Sequence, residues 1–332
     1  MKILVIGTGV IGTTYGWQLS IAGHEVCHLI RKAAVRNRVA TEGLRIKCLD
    51  LRNGKSVKSE TIFRPAVVAG ISDFAADLII VSVNSNQISS LLPTLRGATG
   101  SPTILFMQNI RPGDDALIGE YIQADQYVIG YPFKAGGGRD ADGIDTVIFG
   151  NALTHTMLGR PDGKITPKVR EISGILKQAD MAPKITRKII PYIRTHYFWA
   201  AASIGAYMKA GSWERFLDAD IVRESYLAMR EGWNICRAQC INPLSVAPTR
   251  YFYLPLAILV PFTRRMYDDE GMRLMFEGHV RHSPDEMKTM FFEMLRLGVE
   301  NGVDMPVCRG MVPFVNKYFA DLITDDRDTV ST

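Results

Sequence analysis

The sequence opens on a short apolar run, Lys2-Ile3-Leu4-Val5-Ile6, followed at once by Gly7-Thr8-Gly9-Val10-Ile11-Gly12. A G-x-G-x-x-G pattern alone is a weak signal, but between a strand and a helix it has a definite physical meaning. Gly7 permits the tight turn, Gly9 lets the backbone approach a pyrophosphate, and Gly12 lets the helix pack closely on the strand. The helix N-terminus then presents amide donors and a positive dipole end to the loop. This feature constrains the first half of the chain to a Rossmann-type parallel sheet that binds a dinucleotide.

The segments that follow fit that constraint. Gly12–Ala22 reads as the first helix, with Ile11, Tyr15, Leu19 and Ala22 along one side, and His24–Ile30 as strand two. The runs at 77–83 and 103–107 are continuously apolar, as strands covered on both faces are. Tyr127–Gly130 adds another strand, and Ile144–Phe149 and Thr154–Leu158 suit an antiparallel extension. From about Lys168 the period becomes helical, most clearly over Glu171–Asp180, Ile189–Lys209, Ala219–Cys240 and Asp285–Asn301. The expected fold is α/β plus all-α, a Rossmann-type domain over 1–182 and a helical domain over 183–332 with a cleft between them. The connection runs from Asp180 to Lys188 through Pro183, and the polar tail after Leu322 is expected to fray.

Composition narrows the partners. At 332 residues the chain has room for two domains. A net charge of +5 without any run of five like charges does not imply nucleic acid, and suits an anionic small ligand. Five scattered cysteines point to reduced thiols in a cytoplasm. The N-terminus becomes glycine-rich too early for a signal peptide. The apolar run from Tyr251 to Phe262 is broken by Pro255 and Pro261 and is too short to span a bilayer. It reads as a buried helix or turn, suited either to a homodimer contact or to an enlarged core. A soluble cytoplasmic protein is expected.

The end of strand two selects the cofactor. NAD-binding proteins of this type carry an Asp or Glu there for the ribose 2′-hydroxyl. Here Arg31-Lys32 follows, then Arg36 and Arg38, with no acid before Glu42. A carboxylate repels a 2′-phosphate, whereas a guanidinium binds it through paired charge-assisted hydrogen bonds. NADP(H) is therefore expected, with Arg31 as its reader; for Arg36 and Arg38 a solvated helix face explains the charge at least as well.

These residues resemble the ketopantoate reductase family. The likeness runs from Lys2 through Gly12, continues over Ala22-Gly23-His24-Glu25-Val26 to Arg31, and includes Val81-Ser82-Val83-Asn84-Ser85-Asn86-Gln87. Gln87 matches the family pattern, while Asn84 stands where the family has lysine. Phe106-Met107-Gln108-Asn109-Ile110 resembles the family's strand ending in Asn-Gly, which implies that Asn109 lies beside the nicotinamide ribose and substrate. Gly130–Gly137 resembles the next cofactor-flanking strand and loop. Asp285-Glu286, read back from Asn301-Gly302-Val303-Asp304-Met305-Pro306, places Glu286 on a glutamate that closes over the cofactor. The same glutamate completes a capping box, Ser283-Pro284-Asp285-Glu286, so it has two compatible roles.

The sequence departs from the family in the first long helix of the second half. The family's W-x-K-L-x-x-N carries the lysine that donates a proton, whereas this chain reads Arg194-Thr195-His196-Tyr197-Phe198-Trp199-Ala200-Ala201-Ala202-Ser203-Ile204-Gly205. No lysine or asparagine occurs there, so another group must serve the carbonyl oxygen. His196 and Tyr197 are nearest; His196 is the candidate acid, although aromatic-rich helices more often line a core. Lys134 and Tyr207 are weaker candidates, with Lys134 expected on a solvent-facing loop. Arg264-Arg265 could hold a substrate carboxylate but suits a surface helix end better. His279 and His282, spaced H-x-x-H, lack further ligands for a metal, and Cys236 and Cys240, four apart on one helix, read as buried thiols.

The reading is an NADPH-dependent reductase of a small carbonyl compound. Its site comprises Gly7, Thr8, Gly9, Val10, Ile11, Gly12, Arg31, Gln87, Asn109, Glu286 and His196, and no metal. The alternatives are a dehydrogenase of another keto or imino substrate with the same two-domain plan, and a non-catalytic NADP-binding regulator.

Overall fold

The uninterrupted apolar runs of the first half lie side by side in one sheet, the arrangement that buries both faces of each strand. The computed structural model describes residues 1–140, 143–151 and 153–329. Its strands are β1 (Lys2–Ile6), β2 (Glu25–Leu29), β3 (Leu44–Asp50), β4 (Val57–Phe63), β5 (Ala66–Val68), β6 (Leu78–Val81), β7 (Thr103–Met107), β8 (Tyr127–Pro132), β9 (Ala135–Arg139), β10 (Gly143–Ile148), β11 (Thr156–Gly159) and β12 (Pro183–Ile185). Its helices are α1 (Val10–Ile21), α2 (Ala33–Glu42), α3 (Ile88–Leu95), α4 (Asp114–Tyr121), α5 (Pro167–Gln178), α6 (Ile189–Ala210), α7 (Trp213–Phe216), α8 (Ala219–Ala238), α9 (Leu256–Tyr267), α10 (Glu270–His282), α11 (Pro284–Glu300) and α12 (Pro306–Thr329). The expected Rossmann-type sheet followed by a helical region is the fold observed. The chain divides into two compact units, Met1–Ile190 with Leu274–His282, and Pro191–Arg273 with Ser283–Thr332.

In the first unit the main sheet has the order β12-β11-β8-β7-β6-β1-β2-β5. Only β11 and β12 run against the other strands. β1 lies between β2 and β6, with Ile6 paired to Leu29 on one side and to Val81 on the other. The strand order reverses here, and the carboxyl ends at such a switch point form a crevice. Ile3, Val5, Leu78, Ile80, Leu105 and Val128 belong to one buried cluster with Tyr15 and Leu19 of α1 and with Val169, Ile172 and Leu176 of α5. Each fully buried aliphatic side chain of this kind contributes about 1.5–3 kcal/mol.

A second sheet, in the order β4-β3-β10-β9, also holds α1. Thr14 donates to Thr146 of β10 at 2.9 Å, while Tyr15 pairs with Thr156 of β11 at 2.6 Å. The strand expected at Ile144–Phe149 thus belongs to this sheet, parallel to β3 and antiparallel to β9. Only β11, of the two expected segments, extends the main sheet. Strand β3 alternates Leu44, Ile46 and Cys48 inward with Arg45 and Lys47 outward, the period of a half-buried strand. Strand β9, Ala-Gly-Gly-Gly-Arg, has no large side chain before Arg139, and α10 packs against its backbone through Met275 and Gly278.

In the second unit, α6 and α8 meet closely because Gly232 faces Phe198; a Cβ at 232 would lie 2.8 Å from the Phe198 Cβ. Trp233 is fully buried and donates its indole N–H to the Thr195 carbonyl at 2.9 Å. Glu231, one residue earlier, accepts from the Val307 and Cys308 amides at 2.9 Å each, satisfying two orphan donors in the first turn of α12.

Several local expectations change. The apolar run at 251–262 is not buried throughout: α9 buries Leu259, Thr263 and Tyr267, and this choice of stripe leaves Leu254, Ile258 and Phe262 exposed. Helix α8 ends at Ala238, and Cys240 takes a positive φ of 59° in the turn beyond. Cys240 is therefore exposed and shares no helix face with buried Cys236. Ser283 opens α11 with ψ 54° rather than extended backbone, and it makes no side-chain capping bond, so the expected box is not closed from that side. The α12 backbone stays helical to Thr329; the last three residues of the tail expected to fray lie outside the described residues.

Candidate functional site

Three glycines shape the carboxyl end of β1. Gly7 has φ +117°, and a Cβ there would lie 2.8 Å from the Ser82 hydroxyl oxygen. Gly12 is tighter still, with a Cβ position 2.2 Å from the Gly7 carbonyl oxygen and 2.4 Å from Ser82 Oγ. Ser82 Oγ itself donates to the Ile6 carbonyl at 3.1 Å, tying the ends of β1 and β6 together. Gly9 differs from both: it caps α1, and a Cβ on it would meet no atom within 4 Å. The loop is packed shut beneath and open above. No acidic side chain occupies the first turn of α1 to offset its dipole.

Above the loop lies a cavity of about 430 Å³ lined by Gly7, Thr8 and Gly9, by Arg31 and Lys32 beyond β2, and by Ser82, Asn84 and Gln87 beyond β6. Arg139 of β9 and His282 of α10 complete its rim. No carboxylate lines it, whereas three cationic side chains do. The fit to a dinucleotide phosphate rests on this open space over Gly9, on the helix N-terminus, and on the donor set.

The expected residues of the first unit fall into three places. Gly7, Thr8, Gly9, Arg31 and Gln87 share the cavity wall. Val10 and Ile11 form the first turn of α1, with Val10 buried in the core and Ile11 packed against it. Asn109 follows β7 and is half-buried; it is not among the residues lining this cavity. Its neighbour Gln108 is buried with both amide heteroatoms unpartnered.

Glu286 and His196 belong to the second unit. Glu286 is buried in the first turn of α11. His196 lies on α6 between Tyr192, whose ring is nearly parallel at 6.2 Å, and Trp199 at 4.8 Å. Complete burial lowers its pKa to about 3, so the ring is neutral at physiological pH. Tyr197 donates to Glu293 at 2.5 Å.

Other candidates resolve into structural roles. Lys134 is not on a solvent-facing loop: it is 5% exposed in the turn between β8 and β9. Burial pulls its pKa below the usual lysine value, against the opposing effect of Asp180. Arg36 returns its guanidinium to the Ile30 and Arg31 carbonyls at 3.0 and 3.3 Å, holding the end of β2. Arg264 donates to the Leu217 carbonyl at 2.6 Å from an exposed helix end. Among the described residues, no group of three or more His, Cys, Asp or Glu is placed to hold a metal, and no helix is long and apolar enough to cross a membrane. The residues that sequence reasoning missed are Ser82, Arg139 and the cavity-lining role of His282. Arg139 is separated from the loop by 131 positions and sits in a glycine-rich segment without strand-like alternation.

Comparison with known proteins bears on the N-terminal sequence and on the fold. The family profile described as ketopantoate reductase PanE/ApbA matches residues 3–145. Over that stretch, somewhat under half of the chain, the sequence is similar to the ketopantoate reductase family. A 2-dehydropantoate 2-reductase of Aquifex aeolicus (strain VF5) is 31% identical over 110 residues, covering 33% of this chain and 32% of that relative. The matched stretch thus spans about a third of the relative's length. The fold extends the likeness to nearly the whole chain. A 2-dehydropantoate 2-reductase from Geobacter metallireducens GS-15 superposes with a TM-score of 0.73 at 18% identity, covering 96% of this chain and 99% of that one. A ternary structure of D-mandelate dehydrogenase with NADH and anilino(oxo)acetate gives 0.71 at 18% identity, covering 97% and 99%. At these identities the structural likeness carries the fold.

Proposed function

We propose that the protein is an NADP(H)-dependent reductase of a small carbonyl compound, of the ketopantoate reductase type. The observation that carries this is the carboxylate-free cavity over the glycine loop, with Arg31 at its β2 edge. The amides at the α1 N-terminus donate to the pyrophosphate, which the open face of Gly9 leaves room for, and the Arg31 guanidinium donates to the 2′-phosphate. When bound, the cofactor supplies the hydride for the carbonyl carbon. Asn109 and Glu286 are assigned, from the family resemblance, to hold the nicotinamide ribose and substrate. A 2-oxo acid is the first substrate class, consistent with the ketopantoate reductases and with the mandelate dehydrogenase that share the fold.

A second reading has its own observation. The α6 stretch Arg194–Gly205 has no lysine, and its histidine is buried and neutral, poorly suited to deliver a proton. An NADP-binding regulator without turnover fits that segment.

Fluorescence titration with NADPH and NADH, followed by NADPH oxidation at 340 nm with ketopantoate and a panel of 2-oxo acids and ketones, tests both. Tight NADPH binding with turnover that is lost in Asn109→Ala and Glu286→Ala supports the reductase. Binding without turnover across the panel supports the regulator. Failure to bind NADPH overturns both.

A further inference from the structure

The cavity above the glycine loop has a neighbour. A second cavity, of about 310 Å³, opens between α2, β3 and the end of β9. Two residues, Thr8 and Arg139, line both. Arg139 Nη1 donates to Thr8 Oγ1 at 3.3 Å, so a strand from the second sheet reaches into the phosphate loop of the first. On one side of this contact are Arg31 and Lys32; on the other are Arg38, six residues beyond Lys32 on α2, and Glu42 near the end of that helix.

We infer that Arg139 is a further cofactor-binding residue, which with Arg31 grips the 2′-phosphate of the NADP(H) proposed above, across Thr8.

Charge and placement both favour this role. A half-buried guanidinium crowded by another guanidinium is an unfavourable arrangement in the absence of an anion. Burial, and next the charge of Arg38, push the Arg139 pKa below the usual arginine value, and the charge of Asp140 opposes them only in part. A phosphate dianion reverses the sign of that interaction, and its oxygens suit the planar fork of arginine. The choice of the 2′-phosphate over the pyrophosphate follows from the cations that Arg139 joins. Arg31, Lys32 and Arg38 all belong to the segment after β2, where the ribose 2′-position lies in this fold, whereas the pyrophosphate is provided for by the α1 N-terminus. The Thr8 hydroxyl fixes the guanidinium at the edge of the cavity rather than in solvent.

This inference rests on the NADP(H) reading, and a pair of probes separates the two. Adenosine 2′,5′-bisphosphate and 5′-AMP differ by the 2′-phosphate alone. Calorimetric titration of the full-length protein with each is expected to show a clear preference for the bisphosphate. In Arg139→Met that affinity is expected to fall about tenfold or more, the effect of losing one charge-assisted contact, with 5′-AMP affinity unchanged. Arg139→Lys, which keeps the charge without the fork, is expected to fall between. The 5′-AMP titration also shows that the variant is folded. Equal losses for both probes, or no loss, overturn the role of Arg139. A wild type that binds both probes alike overturns the NADP(H) reading itself.

Discussion

Gly278 of α10 lies against Gly138 of β9 so closely that a Cβ at 278 would stand 2.6 Å from the Gly138 nitrogen. The paired absence of side chains lets Leu274–His282 join the first unit and brings His282 to the cavity over the glycine loop. In an ordinary helix interior, Gly→Ala stabilises by about 0.5–1 kcal/mol. Gly278→Ala is expected to do the reverse, because the obstacle is backbone and must be displaced, at a cost of about 1–3 kcal/mol. Gly174 of α5 is the control, since a Cβ there meets nothing within 4 Å. Urea denaturation should show Gly174→Ala raising the midpoint and Gly278→Ala lowering it; a raised midpoint for both would refute the close packing.

That contact also marks where the sequence stops being legible. The strand–glycine–helix entry was readable because each glycine obeys a local rule, and the apolar runs at β6 and β7 announce burial on both faces. Strand β9 carries almost no side chains, and nothing in Leu274–His282 names its partner, because the information lies in two facing absences. The charge at Arg31 was legible from its place after strand two. Arg139 was not, since its meaning depends on the pairing of β9 with β10, which brings it to Thr8. Lys134 was misplaced for a related reason: a polar residue in a turn is normally solvated, and only the second sheet buries it.

His28 should make the fold sensitive to acid. It is fully buried on β2, neither ring nitrogen has a partner, and burial lowers its pKa from 6.5 to about 4. The unfolded chain binds this proton below pH 6.5 while the folded chain does not until about pH 4. Stability contributed by neutral His28 is therefore present above the unfolded value and falls as pH drops through that window, by about 3 kcal/mol in total. His28→Leu is expected to flatten the pH dependence of the denaturation midpoint between 6.5 and 4. An unchanged slope would show that the ring is solvated.

Glu231 holds the start of α12 through the Val307 and Cys308 amides. Glu231→Ala removes acceptors for both, and losing a cap typically costs about 0.5–2 kcal/mol. Glu231→Gln keeps one acceptor and should recover part of that. Thermal melts of the three proteins are expected to rank wild type, Gln, then Ala, with cofactor affinity unaltered.

Arg31→Asp places a carboxylate where the β2 edge offers a cation to the proposed 2′-phosphate. Like-charge repulsion should weaken NADPH by at least about tenfold and leave NADH equal or improved. Fluorescence titration of both nucleotides gives the ratio. An unmoved ratio would mean that Arg31 does not touch the phosphate and that the selectivity rests elsewhere.

The glycines of the loop should fail in different ways. At Gly12 a Cβ would strike the Gly7 carbonyl at 2.2 Å and the Ser82 hydroxyl at 2.4 Å. Gly12→Ala must therefore part α1 from β1, and both stability and cofactor binding should fall. At Gly9 a Cβ enters open space, so Gly9→Ala leaves the protein's own packing intact. What it fills is the space at the helix N-terminus proposed for the pyrophosphate. Gly9→Ala is expected to melt within a degree or two of wild type, since surface changes usually cost under about 0.5 kcal/mol, yet to lose most of its NADPH affinity. Paired melting and titration of both variants decide it: a Gly9→Ala protein that binds NADPH normally would mean that the cofactor does not lie over this loop.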